Sequence, residues 1–258
     1  MGVFTQQIPD EAHKRRILVL VDRGRARAYK NKDWFAGLKL DDAIAVILLD
    51  DSEPLHHPVM KKLEQNGLTA RNHVLALNPF HGDEYKTPEQ QVFGLPIEKA
   101  RIMRYLAQLL GATQFSLEVE HKDARALAWK AGLEGSGPKG GGGAMVHRAV
   151  SALANASATI SGKFQGAEPD LKKAEHLLTR AGLFADSEFR ALYEAALPGN
   201  RVLEHKCSVE AVSEATKLIE LAAHAKVSGV FECKGDFKLD KSEKTEYRMK
   251  ICVSWARR

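Results

Sequence analysis

Apolar and polar positions alternate with a period of two along much of the second half of the chain. In 113–121, Phe115, Leu117 and Val119 fall on one side and Ser116, Glu118 and Glu120 on the other. The same pattern recurs in 154–164, where Ala156, Ala158, Ile160 and Phe164 oppose Asn155, Ser157, Thr159 and Lys163. It returns in 202–209 (Leu203, Cys207, Val209), in 227–237 (Val227, Phe231, Cys233, Phe237) and in 245–255 (Met249, Ile251, Val253, Trp255). The last two are joined by turn residues and are expected to form an antiparallel hairpin. Strands with one apolar face need a cover, and helical spacing supplies it at 97–110, 169–182, 187–197 and 211–225. The predicted architecture is α+β: an antiparallel sheet of about five amphipathic strands, covered on one face by helices.

The first part reads differently. Residues 17–22 (ILVLVD) form a short apolar run that ends at the turn signal Asp22-Arg23-Gly24, and RARAY follows as a second strand. Residues 43–49 (AIAVILL) suit either a strand or a buried helix. Helical spacing over 58–66 stops at Asn66-Gly67, and 73–80 reads as a strand ending at Pro79. Residues 81–95 are rich in turn formers and read as a long surface loop, with a helix starting at Pro96. This divides the chain into a smaller N-terminal α/β part, 1–95, and a larger α+β part, 96–258.

Composition changes this picture little. With 44% hydrophobic and 28% charged residues over 258 positions, the chain has ordinary globular usage. No run approaches the roughly 20 apolar residues of a spanning helix, and the N-terminus has no secretory h-region. Three widely spaced cysteines, Cys207, Cys233 and Cys252, form no CxxC pair. They are expected as core thiols in a reducing compartment, which favours a cytoplasmic location. No cofactor motif is complete, and no cofactor is expected.

Charge changes it more. The formal net charge is +5, and the excess lies at the two ends. Lys14, Arg15, Arg16, Arg23, Arg25, Arg27, Lys30 and Lys32 stand against only Glu11 and Asp22 between positions 11 and 32. Segregated positive charge points to an anionic partner. In an extended strand Arg23, Arg25 and Arg27 share one face at intervals of about 6.5–7 Å, close to phosphate spacing along a nucleic acid. Arg15, Arg16, Lys30 and Lys32 widen the patch, and Tyr29, Trp34 and Phe35 are available for stacking. The expected function is therefore a non-enzymatic binding or regulatory protein with an anionic partner, nucleic acid first. The alternative use of the patch is an edge strand protected by charge.

Two other functions compete. Asp22, Asp50 and Asp51 end apolar runs, and His56, His57, His73, His81 and Asp83 lie near them in sequence; such acids and histidines suit a metal-dependent phosphoester hydrolase. No HxH, HExxH or DxD spacing accompanies them. The strands expected at 154–164 and 245–255 match the length of tilted bilayer-spanning strands, so a membrane-acting effector that inserts a hairpin is the third reading. The glycine-rich segment 132–143 (GLEGSGPKGGGG) lacks the Ser or Thr and the feeding strand of a phosphate loop. It reads as a flexible linker.

Overall fold

The computed structural model describes residues 8–22, 42–49, 57–69, 73–121, 141–200, 202–210, 217–218, 221 and 247–256. The chain forms two compact units, the first built chiefly from Met1–Val92 and the second from Phe93–Lys139, Gly143–Ala215 and Asp240–Arg258.

The first unit holds a mixed four-stranded sheet in the order β2-β1-β3-β4, made of β1 (Ile17–Asp22), β2 (Ile44–Leu49), β3 (His73–Leu77) and β4 (Tyr85–Lys86). β1 runs parallel to β2, with Ile17 opposite Ile44 and Asp22 opposite Leu49, and antiparallel to β3. Ile17 through Val21 are all fully buried, so β1 is covered on both faces. This explains its unbroken apolar run and settles 44–49 as a strand. One face, Leu18 and Leu20 with Ala45, Ile47, Leu75 and Leu77, packs on Val59, Met60 and Leu63 of helix α1 (Pro58–Gln65). Gly67, at φ +67°, ends α1: Leu68 N–H donates to Leu63 O and Gly67 N–H to Glu64 O, the left-handed closure that glycine adopts at least cost.

Helix α2 (Pro88–Leu109) corrects the loop expected at 81–95. Thr87 and Gln90 form a capping box, each side chain bonded to the other's backbone N–H, and Pro88 takes the first helical position. Pro96, expected to start the helix, lies inside it.

The second unit holds a wholly antiparallel sheet in the order β6-β5-β8-β7. Its strands are β5 (Gln114–His121), β6 (Gly162–Lys163), β7 (Glu204–Glu210) and β8 (Tyr247–Ser254). Phe115, Leu117, Val209, Met249, Ile251 and Val253 are buried, as the alternation requires. The opposite face carries ion pairs, Lys250 of β8 with Glu120 of β5 at 2.8 Å across strands and Lys206 with Glu204 at 3.0 Å along β7. Helices α4 (Leu171–Arg180) and α5 (Ser187–Ala195) start on Asp170 and Asp186, whose carboxylates accept from backbone N–H groups of the first turn.

Among the described residues the antiparallel sheet expected with about five strands has four, and the N-terminal part carries a separate mixed sheet of four. The strand expected at 154–164 is instead the end of helix α3 (Gly141–Ile160), with only Gly162–Lys163 in the sheet as β6. Alanine misled the pattern: counted as apolar it alternates, yet it is the strongest helix former. The buried residues of this stretch, Val150, Leu153 and Ile160, keep helical spacing. The membrane-effector expectation thereby loses one of its two strands. Among the described residues no helix is long and apolar enough to cross a membrane. Gly141–Gly143, expected as part of the linker, open α3. The rest of the glycine-rich segment, the second strand expected at 25–29, the strand at 227–237 and most of the helix at 211–225 lie outside the described residues.

Candidate functional site

The first unit gathers its charged side chains where the chain enters β1. A short 3-10 helix, Ala12–Arg15, delivers Arg15 to the sheet with 5% of its surface exposed. The guanidinium of Arg15 donates from Nη1 to Tyr85 Oη at 3.0 Å and from Nη2 to Asp83 Oδ1 at 3.0 Å. Its Nε donates to Asp10 O at 3.4 Å, and Tyr85 Oη donates back to Arg15 O at 2.8 Å. Asp83 lies in the turn between β3 and β4, and its second oxygen meets Lys62 Nζ of α1 at 3.2 Å.

The electrostatics follow from this geometry. Burial works against the Arg15 charge, but the bonds to Tyr85 and Asp83 outweigh it and hold the guanidinium firmly protonated. Burial pushes the Tyr85 hydroxyl up to about 12 against the pull of Arg15. The hydrogen bond from Arg15, with help from Lys62, holds the Asp83 carboxyl below its usual range. Arg15 thus ties the entry to β1 to the β3–β4 turn, and Lys62 joins α1 to the same carboxylate.

Among the expected phosphate contacts, Arg15 is accordingly an internal group, satisfied by three partners. Arg16 is half-buried and its carbonyl accepts from Leu77 N–H. Arg23, Arg25, Arg27, Lys30 and Lys32 lie outside the described residues. Tyr85 and Lys62 complete the arrangement. No local pattern marks them, because they meet Arg15 and Asp83 only through the fold.

The expected metal residues fall into separate roles. His57 caps α1, its Nδ1 accepting from Val59 N–H at 3.1 Å while Nε2 faces Asp10 Oδ1 at 3.4 Å. His73 is exposed at the start of β3, and Asp22 ends β1. Asp50, Asp51 and His56 lie outside the described residues. Among the described residues no three His, Cys, Asp or Glu side chains converge to hold a metal ion.

A second polar group lies inside the second unit. Lys99, 3% exposed, pairs with Asp186 at 3.3 Å, and Asp186 also caps α5. His205 and Cys207 of β7 lie close to Glu188. Burial first, then Glu188 and Asp186, pushes the Cys207 thiol up to about 12, the reverse of what a nucleophile requires. Cys252 faces the other side of the sheet, with Sγ 3.0 Å from Glu204 Oε1. The two thiols are thus on opposite faces and do not pair.

His205 yields a pH prediction. Its Nε2 is buried with no hydrogen-bond partner, and burial lowers its pKa from the ordinary 6.5, with Glu188 opposing. A base with a lowered folded pKa binds its proton more readily when unfolded. Stability therefore falls as pH drops below about 6.5, until the folded-state pKa is reached. Carboxylates such as Asp83 and Asp170, held low, lose their contributions only in a more acidic window. Denaturant midpoints between pH 7.5 and 5 should decline in the wild type and flatten in His205→Gln; equal slopes would contradict the assignment.

Comparison with protein-family models, with curated proteins and with solved structures returns no match.

Proposed function

We propose that the protein is a non-enzymatic binding protein for an anionic partner, with nucleic acid the partner class favoured. The carrying observation is the concentration of eight cations against two acids between positions 11 and 32, flanking a strand that is buried on both faces. A partner held near β1 would meet a support that does not yield, because β1 is paired on both sides and packed above and below. Arg15, Arg16, Arg23, Arg25, Arg27, Lys30 and Lys32 are the proposed phosphate contacts, with Arg15 also bracing the support through Tyr85 and Asp83. Such contacts release condensed counterions, so affinity should fall steeply with salt.

The test is binding of labelled single- and double-stranded DNA and RNA across a salt series, for wild type and for Arg23/Arg25/Arg27→Ala. The expected result is binding at low salt that weakens with ionic strength, with the salt slope reduced by about 2–3 in the variant. Absent binding at low salt would remove nucleic acid as the partner, and equal slopes would remove these three arginines as its contacts.

One observation favours a second reading, a metal-dependent phosphoester hydrolase. β1 and β2 are parallel and in register, so Asp22 at the carboxyl end of β1 stands opposite Leu49, and Asp50 and Asp51 come next in sequence. The carboxyl ends of parallel strands are where open sheets place their ligands. Chelator-sensitive phosphodiester turnover would select this reading, and its absence with added divalent metals would discard it.

A further inference from the structure

We propose that Arg15 and Lys62 form a subsite for a phosphate group and that the Asp83 carboxylate is its built-in competitor. This inference rests on the anionic-partner reading and gives it a place and a control. The two oxygens of Asp83 take one cation each, Arg15 Nη2 at 3.0 Å and Lys62 Nζ at 3.2 Å. Two oxygens of a phosphate would use the same donors.

The Arg15 guanidinium has anchors besides Asp83, and the helix that carries Lys62 is fixed. Arg15 is also fixed by Tyr85 Oη and Asp10 O, and Tyr85 Oη is anchored on Arg15 O. Lys62 projects from α1, which is clamped into the core by Val59, Met60 and Leu63. The competitor, by contrast, sits in a turn. The side chains of Asp83 and Lys62 are 49% and 53% exposed, so an anion from solvent reaches the place Asp83 would vacate. Arg15 itself, 6% exposed at its side chain, becomes accessible only through that exchange. An anion bound here would displace an internal ion pair, and the subsite would stay closed to weak or singly charged anions.

The experiment compares wild type with Asp83→Asn and with Glu84→Gln. The latter removes the same charge one residue away, from a carboxylate that pairs with Lys86. Each protein, first shown to unfold cooperatively, is titrated with inorganic phosphate. Binding is read from the Arg15 Nε–H resonance, assigned by its loss in Arg15→Lys. Asp83→Asn should bind phosphate about tenfold more tightly than both other proteins, with the Arg15 resonance moving along the titration. Equal affinity in Asp83→Asn and Glu84→Gln, or a resonance that stays in place, overturns the proposal. Asp83→Ala serves in the same comparison should the asparagine variant not fold.

The outcome is separable from the nucleic-acid reading. A phosphate site in Asp83→Asn beside a wild type that binds no nucleic acid keeps the subsite and rejects that partner. Nucleic-acid binding by the wild type with Asp83→Asn no different from Glu84→Gln keeps the partner and rejects the competitor.

Discussion

Gly111→Ala is expected to lower stability by about 3 kcal/mol, and Gly67→Ala by about 1 kcal/mol, although both glycines close a helix in the same left-handed turn. Their φ values are nearly equal, +75° and +67°, and each follows a helix whose last carbonyls accept from the next two N–H groups. The handedness cost is therefore shared. The surroundings are not. A Cβ on Gly67 meets nothing within 4 Å, whereas one on Gly111 would lie 2.3 Å from the carbonyl oxygen of Ala167. That oxygen belongs to backbone and cannot swing aside. The segment carrying it is pinned by Asp170 N–H on Leu109 O and by Phe164 N–H on Thr113 O, both at 2.8 Å. Relieving the overlap would move the segment off the end of α2, and overpacking of this kind adds about 1–3 kcal/mol to the handedness cost. Denaturant unfolding of both variants measures the difference. Equal losses would mean that 164–170 does not lie against Gly111.

Asp186→Ala should cost about 3–5 kcal/mol, and Lys99→Met only about 1 kcal/mol or less. The asymmetry comes from which group is buried. Lys99 is 3% exposed, so its ammonium has lost most of its water and relies on protein partners, the Asp186 carboxylate at 3.3 Å among them. Removing that carboxylate leaves the charge in place inside the unit. It also strips α5 of its cap, where Asp186 accepts from Glu188 and Phe189 N–H. Lys99→Met instead takes the charge away and fills a similar volume, while Asp186, 23% exposed at its side chain, keeps the cap and part of its hydration. Chemical denaturation decides the order. A larger loss for Lys99→Met would show that the ion pair, rather than the cap and the buried ammonium, dominates.

Where sequence and structure agree, short-range physics is the reason. β5 was legible because Phe115 and Leu117 alternate with polar residues on a sheet that is wet on one side. β1 was legible because five consecutive apolar residues before Asp22 have no helical partner pattern. The starts of α4 and α5 follow from Asp170 and Asp186, which cap locally. The failures are equally specific. Pro96 suggests a helix start because proline favours the first turn, but the Thr87–Gln90 capping box and Pro88 mark the true start eight residues earlier. In 154–160 alanine made a helix look like a strand.

The candidate site was the least legible part. Arg15 belongs to a basic run, and charge alone assigns it to the surface. Its burial depends on Tyr85 and Asp83, 70 and 68 residues away, and long-range pairing leaves no trace in a local window. Cys207 and Cys252 were expected in the core, yet Cys252 lies on the polar face beside Glu204. The alternation of Met249, Ile251 and Val253 puts position 252 on the opposite face, whereas the residue type alone suggests the core.

The place of β8 sets an order of events during folding. It lies between β5 and β7 although it comes last of the described strands in the chain, and Thr113 reaches across 141 residues to bond Ser254 O. Among the described strands β5 and β7 are joined only through β8, so their union waits for the last of them. That union requires closing one very long loop, which is slow. Through that interval the edges of β5 and β7 that β8 will pair are open to whatever else is in solution. The first unit, whose strands β1 to β4 lie within Ile17–Lys86, faces no such delay among its described elements. Refolding should therefore show two phases, a faster one reported near Tyr85 and a slower, aggregation-sensitive one reported by Trp255, whose indole locks onto Leu110 O only once β8 is seated.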